Sequence, residues 1–214
     1  GDTDYIIENV GQNTLFQASA QYPASVYAKD FDNNGSYDAF PALYFRVSQQ
    51  ETTRKEYPVH MRDDAVKQMI SMRAKFQNYK SYADASIDQL LTSEQLNGAL
   101  VLKATDLQSS YCRNDGKGKF TLAPLPFTAQ LSALNGMLAD DFDGDGNLDV
   151  LMNTNDYGTD VTIGRYDALN GLMLKGDGKG GFTAKSILES GIFIPGNGKA
   201  LVKLRGKEGK YLVA

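Results

Sequence analysis

Most of the chain alternates short apolar runs with polar, glycine-rich turns, a pattern typical of β-strands joined by tight turns. The runs that we interpret as strands lie at 26–29, 39–47, 99–104, 137–140, 150–152, 200–204 and 211–213. The last two flank a turn at 206–209 and predict a hairpin. The pattern therefore predicts a mainly β protein.

One segment departs from this pattern and favours helices. From Met61 to Leu100 glycine is almost absent and helix-forming residues are common. Asp63 or Asp64 is a candidate N-cap, and a second helical stretch is expected at about 83–91. Apolar positions at helical spacing are Val66, Met69, Ile70 and Phe76 in the first stretch, and Ile87, Leu90 and Leu91 in the second. Thr92 is expected to cap a third, short turn. We therefore predict an α-helical insertion over 58–98.

Residues 141–149 place four carboxylates within nine positions, directly before the apolar run 150–152. Carboxylates this close repel one another unless a cation lies among them. Oxygen ligands on a flexible loop favour calcium over magnesium. A helical calcium hand would end in Glu at position twelve, which here is Met152, so this loop joins two strands. The predicted ligands are the side chains of Asp141, Asp143, Asp145 and Asp149 and the backbone carbonyl of Asn147. The alternative is a solvated acidic turn without metal.

The same nine-residue pattern occurs a second time, at 30–38. The predicted Ca²⁺ ligands there are the side chains of Asp30, Asp32, Asn34 and Asp38 and the backbone carbonyl of Ser36. Because one ligand is an amide instead of a carboxylate, we expect this site to bind calcium more weakly than 141–149.

A third copy is cut short at the N-terminus. Residues 1–7 align with 146–152, so Asp4 corresponds to Asp149 while the first three ligands are missing. The chain thus begins inside a loop, as expected of a processed fragment, and this copy is not expected to bind metal.

A glycine-rich turn is also repeated, at 114–120 and 176–182, and each copy ends in phenylalanine. Glycine reaches positive φ at little cost, so such runs are typical of tight hairpins. A phosphate-binding role is disfavoured because neither run opens a helix or ends in Gly-Lys-Ser/Thr.

These loops and turns resemble FG-GAP/VCBS repeats, the calcium-loop blades of integrin-alpha-like β-propellers. More of the chain is similar to bacterial ASPIC-type VCBS-repeat proteins. The stretches that carry this likeness are 27–38, 56–58 with 62–63, 125–126 with Gln130, and 164–167. The resemblance implies calcium bound in blade loops and a non-catalytic role at a surface. A closed propeller typically has at least four blades, so we expect a partial or fragment propeller.

On this basis we predict a single propeller-like domain over 1–214. Its parts are the end of a first blade (1–24), a second blade (25–57 and 99–134) interrupted by the helical insertion (58–98), a third blade (135–195) and the start of a fourth (196–214).

Composition narrows the partners and the compartment. The 214 residues are 42% hydrophobic, enough for a core, and the net charge of -4 comes without a basic stripe, which disfavours nucleic acid. No apolar run approaches the length of a membrane span. The single Cys112 excludes an intrachain disulfide, and a buried structural thiol is favoured over a reactive one. Calcium loops favour an exported protein in the periplasm, at the outer membrane surface or outside the cell.

The chemistry needed for an enzyme is sparse. There is no Gly-x-Ser-x-Gly motif, no histidine pair for zinc and no partner for Cys112. We therefore predict a non-catalytic module that binds a protein or glycan ligand at the cell surface, or the remaining blades of a longer chain. The alternatives are a lyase-like, polysaccharide-active enzyme and a purely structural segment of a larger surface protein.

The helical insertion is the candidate binding surface, because loops on a rigid scaffold often carry recognition. Charged and aromatic residues crowd its beginning: Arg54, Lys55, Glu56, Tyr57, His60, Arg62 and Asp63. Phe76, Tyr79 and Tyr82 follow at intervals of three. The alternative is that these rings pack the helices against the sheet while the charges face water.

Overall fold

The structure is a computed structural model that describes residues 3–206 and 210–213. It is mainly β, with 34% strand and 16% helix, which confirms the predicted class. The strands are β1 (Tyr5–Ile7), β2 (Ala24–Lys29), β3 (Asp38–Arg46), β4 (Arg54–Pro58), β5 (Leu100–Ala104), β6 (Ser110–Gly116), β7 (Lys119–Pro124), β8 (Leu134–Asp140), β9 (Asp149–Thr154), β10 (Leu172–Gly176), β11 (Phe182–Lys185), β12 (Val202–Arg205) and β13 (Lys210–Val213). The helices are α1 (Arg62–Gln68), α2 (Met72–Lys75), α3 (Tyr79–Ala83), α4 (Ile87–Leu90), α5 (Ser93–Leu96) and α6 (Ile187–Ser190), with a 3-10 turn at Phe127–Gln130.

The chain forms two compact units where we predict one domain. The discontinuous unit comprises Gly1–Leu15 and Leu107–Ala214, and the inserted unit comprises Phe16–Asp106. All strand pairs in the described ranges are antiparallel, and no sheet among them closes on itself.

The inserted unit contains one sheet of four strands, in the order β4-β3-β2-β5. Helices α1 to α5 all lie between β4 and β5, within the predicted insertion. Its core consists of Phe31, Phe40, Ala42, Ala65, Met69, Met72, Phe76, Tyr82, Ala85, Ile87, Leu90 and Leu91. Because this list joins strand residues to helix residues, burial of apolar surface holds the helices on the sheet.

The helix boundaries differ in detail from the predicted ones. Helix α1 begins after Met61, whose side chain makes no capping bond, so neither Asp63 nor Asp64 is the cap. The backbone turns extended at Met69, which ends the helix and leaves Ile70 exposed, where the periodicity predicts a buried residue. Thr92 caps α5 as predicted, because its hydroxyl accepts a hydrogen bond from the Gln95 N–H at 3.2 Å.

The discontinuous unit contains a second sheet of four strands, in the order β11-β10-β9-β8. Every residue of β9 is buried, as expected for a central strand covered on both faces. Val150 and Met152 of this strand form one buried apolar cluster with Leu125, Ala129, Leu134, Leu172 and Leu174. Strands β12 and β13 form the hairpin predicted near the C-terminus. The turn residues 207–209 lie outside the described residues.

The remaining sheet has the order β1-β6-β7, with Tyr5 opposite Cys112. This pairing differs from our blade assignment, in which 99–134 completes the second blade. Of the strands in 99–134, only β5 joins the inserted unit's sheet. Strand β6 pairs with β1 across about a hundred residues of chain, and β7 pairs with β6.

Buried hydrogen bonds hold the segment that follows β1 against Ser109 and Gln130. The side-chain amide of Gln130 makes two hydrogen bonds with the backbone of Ser109. Its Oε1 accepts from the Ser109 N–H at 2.9 Å, and its Nε2 donates to the Ser109 carbonyl at 2.8 Å. Its backbone carbonyl accepts from the Gln12 N–H at 2.7 Å. The Ser109 hydroxyl accepts from the Asn9 N–H at 3.1 Å. These bonds satisfy backbone groups that would otherwise be buried without partners.

Two smaller expectations concern Cys112 and membranes. Cys112 lies buried on β6, as predicted. Among the described helices, none combines the length and the apolar character that crossing a bilayer requires.

Candidate functional sites

The loop 30–38 joins β2 to β3 and is shaped by its own side chains. Asp30 accepts from the N–H of Asn34 at 3.0 Å and of Gly35 at 2.9 Å. Asn34 Oδ1 accepts from the Ser36 N–H at 2.8 Å. Asp38 Oδ2 accepts from the Phe31 N–H at 3.0 Å. The aspartates therefore fold the loop onto itself and point their oxygens inward.

This folding brings three carboxylates together. Oxygens of Asp30, Asp32 and Asp38 all lie within 4.8 Å of one another. Asp38 is only 2% exposed, and its burial, with the charges of Asp32 and Asp30, raises its pKa. Oδ1 of Asp32 is buried and has no hydrogen-bond partner within the part of the chain that the structure describes. Three converging carboxylates and an unpaired buried oxygen are the donor set that a hard cation satisfies.

The loop 141–149 joins β8 to β9 with the same internal bonds. Asp141 accepts from the N–H of Gly144 at 2.7 Å and of Gly146 at 2.9 Å, and Asp149 Oδ2 accepts from the Phe142 N–H at 3.1 Å. Oxygens of Asp141, Asp143 and Asp149 lie within 4.8 Å of one another.

Backbone conformation also agrees between the two loops. Gly35 and Gly146 both have φ of 87°, while Asn33 (57°) and Gly144 (78°) are left-handed at the other shared position. A side chain other than Asn or Asp would be strained at these positions. The two loops that repeat in sequence therefore also share the same backbone conformation.

The two loops differ in one charged neighbour. Lys175, on β10, forms ion pairs with Asp143 and with Asp145, whose Oδ2 lies 2.8 Å from the Lys175 ammonium. Lys175 lowers the pKa of Asp145, and the two aspartates raise the pKa of Lys175. Asp145 lies outside the group of three converging carboxylates, although the sequence predicts it as a ligand.

The two residues predicted to act through backbone carbonyls use their N–H groups to shape the loops. The N–H of Asn147 donates to Asp145 Oδ1 at 2.9 Å, as that of Ser36 does to Asn34. The Asn147 side chain lies over Gly178, where an added Cβ would come within 2.2 Å of Asn147 Oδ1. The repeated glycine turn at 176–182 thus leaves space for the loop.

Asp4 occupies the position of Asp149 in the truncated copy. Asp149 Oδ1 accepts from the Gly176 N–H at 3.0 Å, and Asp4 Oδ1 accepts from the Asn114 N–H at 2.8 Å, where Asn114 is the counterpart of Gly176. Tyr111 donates to the other Asp4 oxygen at 2.6 Å, which lowers the pKa of Asp4 and raises that of Tyr111 to about 12. In this copy the last aspartate still anchors the strand edge.

A cleft of about 700 Å³ opens in the inserted unit beside β4 and α3. Its lining includes Phe45, Arg46, Tyr57, His60, Arg62, Tyr79 and Tyr82. This size and this mixture of rings with a few polar groups are typical of ligand sites.

Of the three aromatic residues predicted for ligand binding, two instead pack the helices and one is exposed. Phe76 and Tyr82 are buried with their rings perpendicular at 5.4 Å, so they pack the helices. Tyr79 is 64% exposed and donates to Asp63 at 2.8 Å. Arg62 lies over the Tyr79 ring at 5.6 Å and donates to the Phe76 carbonyl at 2.7 Å. Of the three rings, Tyr79 is therefore the one exposed to solvent, while the buried Tyr82 also lines the cleft.

Sequence reasoning missed Lys175, Phe45 and Arg46. For Lys175 a signal existed, because a basic residue precedes both repeated glycine turns, Arg113 in one copy and Lys175 in the other. Phe45 and Arg46 end an apolar strand, and no local pattern marks them as lining a cleft.

The fold and sites define a mainly β protein with two structurally equivalent aspartate loops and an aromatic cleft. Comparison with protein-family models, with curated proteins and with solved structures found no match.

Proposed function

We propose that this chain is a calcium-stabilised, exported module built from β-propeller-type repeats of the FG-GAP/VCBS class. Its role is binding, not catalysis, and its partner is a protein or glycan at the cell surface. The observation that carries the proposal is the recurrence of one loop geometry at 30–38 and 141–149, with three carboxylates converging in each. A solvated acidic turn has no need of such convergence, which costs electrostatic energy without a cation.

In this proposal each loop ties together two neighbouring antiparallel strands. Asp30, Asp32 and Asp38 hold the ion in one loop, and Asp141, Asp143 and Asp149 hold it in the other. Calcium supplies the positive charge that allows these carboxylates to remain ionised at close range. Millimolar calcium outside the cytoplasm fills weak sites of this kind, which favours an exported protein.

Calcium titration by isothermal calorimetry tests the metal sites. We expect saturable binding to the full chain, with magnesium binding more weakly because it demands stricter geometry. Asp32→Asn should reduce the number of bound ions, because it removes a ligand from the site in the loop 30–38. Asp84→Asn, an exposed aspartate paired with Lys80 on the surface, is the control and should leave binding unchanged. Absence of any calcium heat would contradict the proposal.

The cleft beside β4 is the proposed site of recognition. Exposed rings such as Phe45 (40% exposed) and Tyr79 stack on the apolar faces of sugars or grip side chains of a protein partner. Arg46 has no side-chain partner among the described residues and is available for a polar or acidic ligand group. The buried Tyr82 donates to the His60 carbonyl at 3.0 Å and holds the wall of the cleft in place.

Binding of immobilised glycan fractions and surface-protein extracts tests the cleft. We expect Tyr79→Ala and Phe45→Ala each to weaken binding about tenfold, as for central aromatic residues of binding sites. Phe120→Ala is the matched control, since Phe120 is similarly exposed but lies in the discontinuous unit. Equal loss in all three variants would contradict a site in the cleft. Release of shortened glycan products would replace the binding proposal with the lyase-like alternative.

A further inference from the structure

We infer that Lys175 is a built-in counter-ion that competes with calcium at the loop 141–149, so that the loop 30–38 is the tighter calcium site. This order is the reverse of the one that ligand composition predicts. The inference rests on the proposed function, because it concerns how the two proposed sites differ.

The contacts of Lys175 carry the inference. Its ammonium forms ion pairs with two of the four aspartates of the loop, Asp143 and Asp145. Its side chain is only about a third exposed, at 35%, so these pairs are less screened than fully exposed ones. Asp143 is also one of the three converging carboxylates. A calcium ion at this loop must therefore share Asp143 with the lysine or displace it.

No comparable cation serves the loop 30–38. Asp30, Asp32 and Asp38 form no ion pair with any residue in the described ranges 3–206 and 210–213. The neighbouring Lys29 is turned away, donating to the carbonyls of Gln95 at 3.2 Å and Asn97 at 2.8 Å. One oxygen of Asp32 is buried and unpaired. No basic side chain in the described ranges therefore competes with an external ion for the carboxylates of this loop.

The extra carboxylate of the loop 141–149 does not give it a greater net negative charge for binding calcium. It has one more carboxylate than 30–38, since Asp145 stands where the other loop has Asn34. Lys175 cancels that extra charge and also occupies an oxygen of Asp143. What remains is a site with the same net charge and fewer free ligand atoms.

The position of Lys175 recurs in the truncated copy. Arg113 is its counterpart on β6 and pairs with Asp115 at 2.7 Å. A basic residue thus precedes the glycine turn in both copies of the discontinuous unit.

Calorimetric titration of four forms of the full chain with calcium chloride tests the inference. In wild type, we expect one tight site and one weaker site. Asp32→Asn should remove the tight site. Adding Lys175→Met to Asp32→Asn should then tighten the remaining site about tenfold, because the two ion pairs of Lys175 no longer compete with calcium. Lys179→Met in the same background is the control, since Lys179 lies four residues on, in the glycine turn, and forms no ion pair with the loop.

A second measurement does not depend on a variant. Acylation of lysines followed by mass spectrometry reports how accessible each amine is. Lys175 should stay protected at calcium concentrations that fill only the first site. It should become reactive as the second site fills, whereas the exposed Lys67 should react equally throughout.

The outcomes separate this inference from the function on which it rests. No calcium binding in any of the four forms overturns the proposed calcium sites themselves. Two sites of equal affinity in wild type, a remaining site in Asp32→Asn that Lys175→Met leaves unchanged, and Lys175 reactivity independent of calcium overturn the inference and leave the calcium sites standing.

Discussion

Truncation of Phe31 to alanine is expected to destabilise the protein by about 3–5 kcal/mol, the usual cost of removing a buried phenylalanine. Phe31 is the second residue of the loop 30–38 and is 4% exposed, with its ring 5.9 Å from that of Phe40. Its carbonyl also accepts a hydrogen bond from Gln95 Nε2 at 3.3 Å. The ring therefore anchors the loop in the core of the inserted unit, and its loss leaves a cavity beneath the proposed metal site.

Urea denaturation followed by circular dichroism measures this cost. The midpoint should fall while the slope with denaturant stays constant, as for a change in stability alone. Phe142→Ala is the matched control, because Phe142 has the same place in the loop 141–149 but is only partly buried. Its loss should cost less than half as much. Equal losses would contradict the anchoring role of Phe31.

Replacement of Asp149 by alanine is expected to cost about 2–4 kcal/mol even with a chelator present, when no ion contributes to stability. Asp149 is 0% exposed and accepts hydrogen bonds from the N–H groups of Phe142 and Gly176. Removing the carboxylate leaves both donors without a partner at the edge of the core. The aspartate thus has a structural role beyond any ion that it holds.

The exposed Asp145 provides the comparison for this effect. Asp145→Ala removes a carboxylate of the same loop that pairs with Lys175 at the surface, so its cost with a chelator present should be below about 1 kcal/mol. Urea midpoints of the two variants in chelator decide the matter. If Asp145→Ala destabilises the protein as much as Asp149→Ala, the two hydrogen bonds are not the cause.

The aspartate loops could be predicted from the sequence because their structure is local. Each bond that shapes 30–38 joins residues at most seven positions apart. The spacing of Asp30, Asn34 and Asp38 therefore contains most of the information needed. The same holds for the cap of α5, where Thr92 bonds to a residue three positions on.

Pairing of β1 with β6 was not predictable in the same way. Tyr5 and Cys112 are paired, although the whole inserted unit separates them in the sequence. This pairing is accompanied by hydrogen bonds between Gln130 and Ser109. Both residues are polar, and no sequence pattern predicts that they are buried. The position of Lys175 beside the loop 141–149 has the same origin, because neighbouring strands bring it there from more than two dozen residues away.

Exposure of Ile70 shows a third limit. Helical periodicity assigns it to the buried side together with Val66 and Met69. Helix α1 ends at Gln68 and the backbone is extended at Met69, so the helical repeat no longer determines which way Ile70 faces.

Thermal unfolding of wild type in calcium and in chelator is the most direct test of the aspartate loops as calcium sites. An ion that binds only the folded chain stabilises it in proportion to the logarithm of its concentration. With about 1 mM calcium we expect Tm to rise by roughly 5–10 °C over chelator, and magnesium to give much less. The increase should shrink in Asp32→Asn. Identical Tm values in calcium and in chelator would contradict the assignment of both loops.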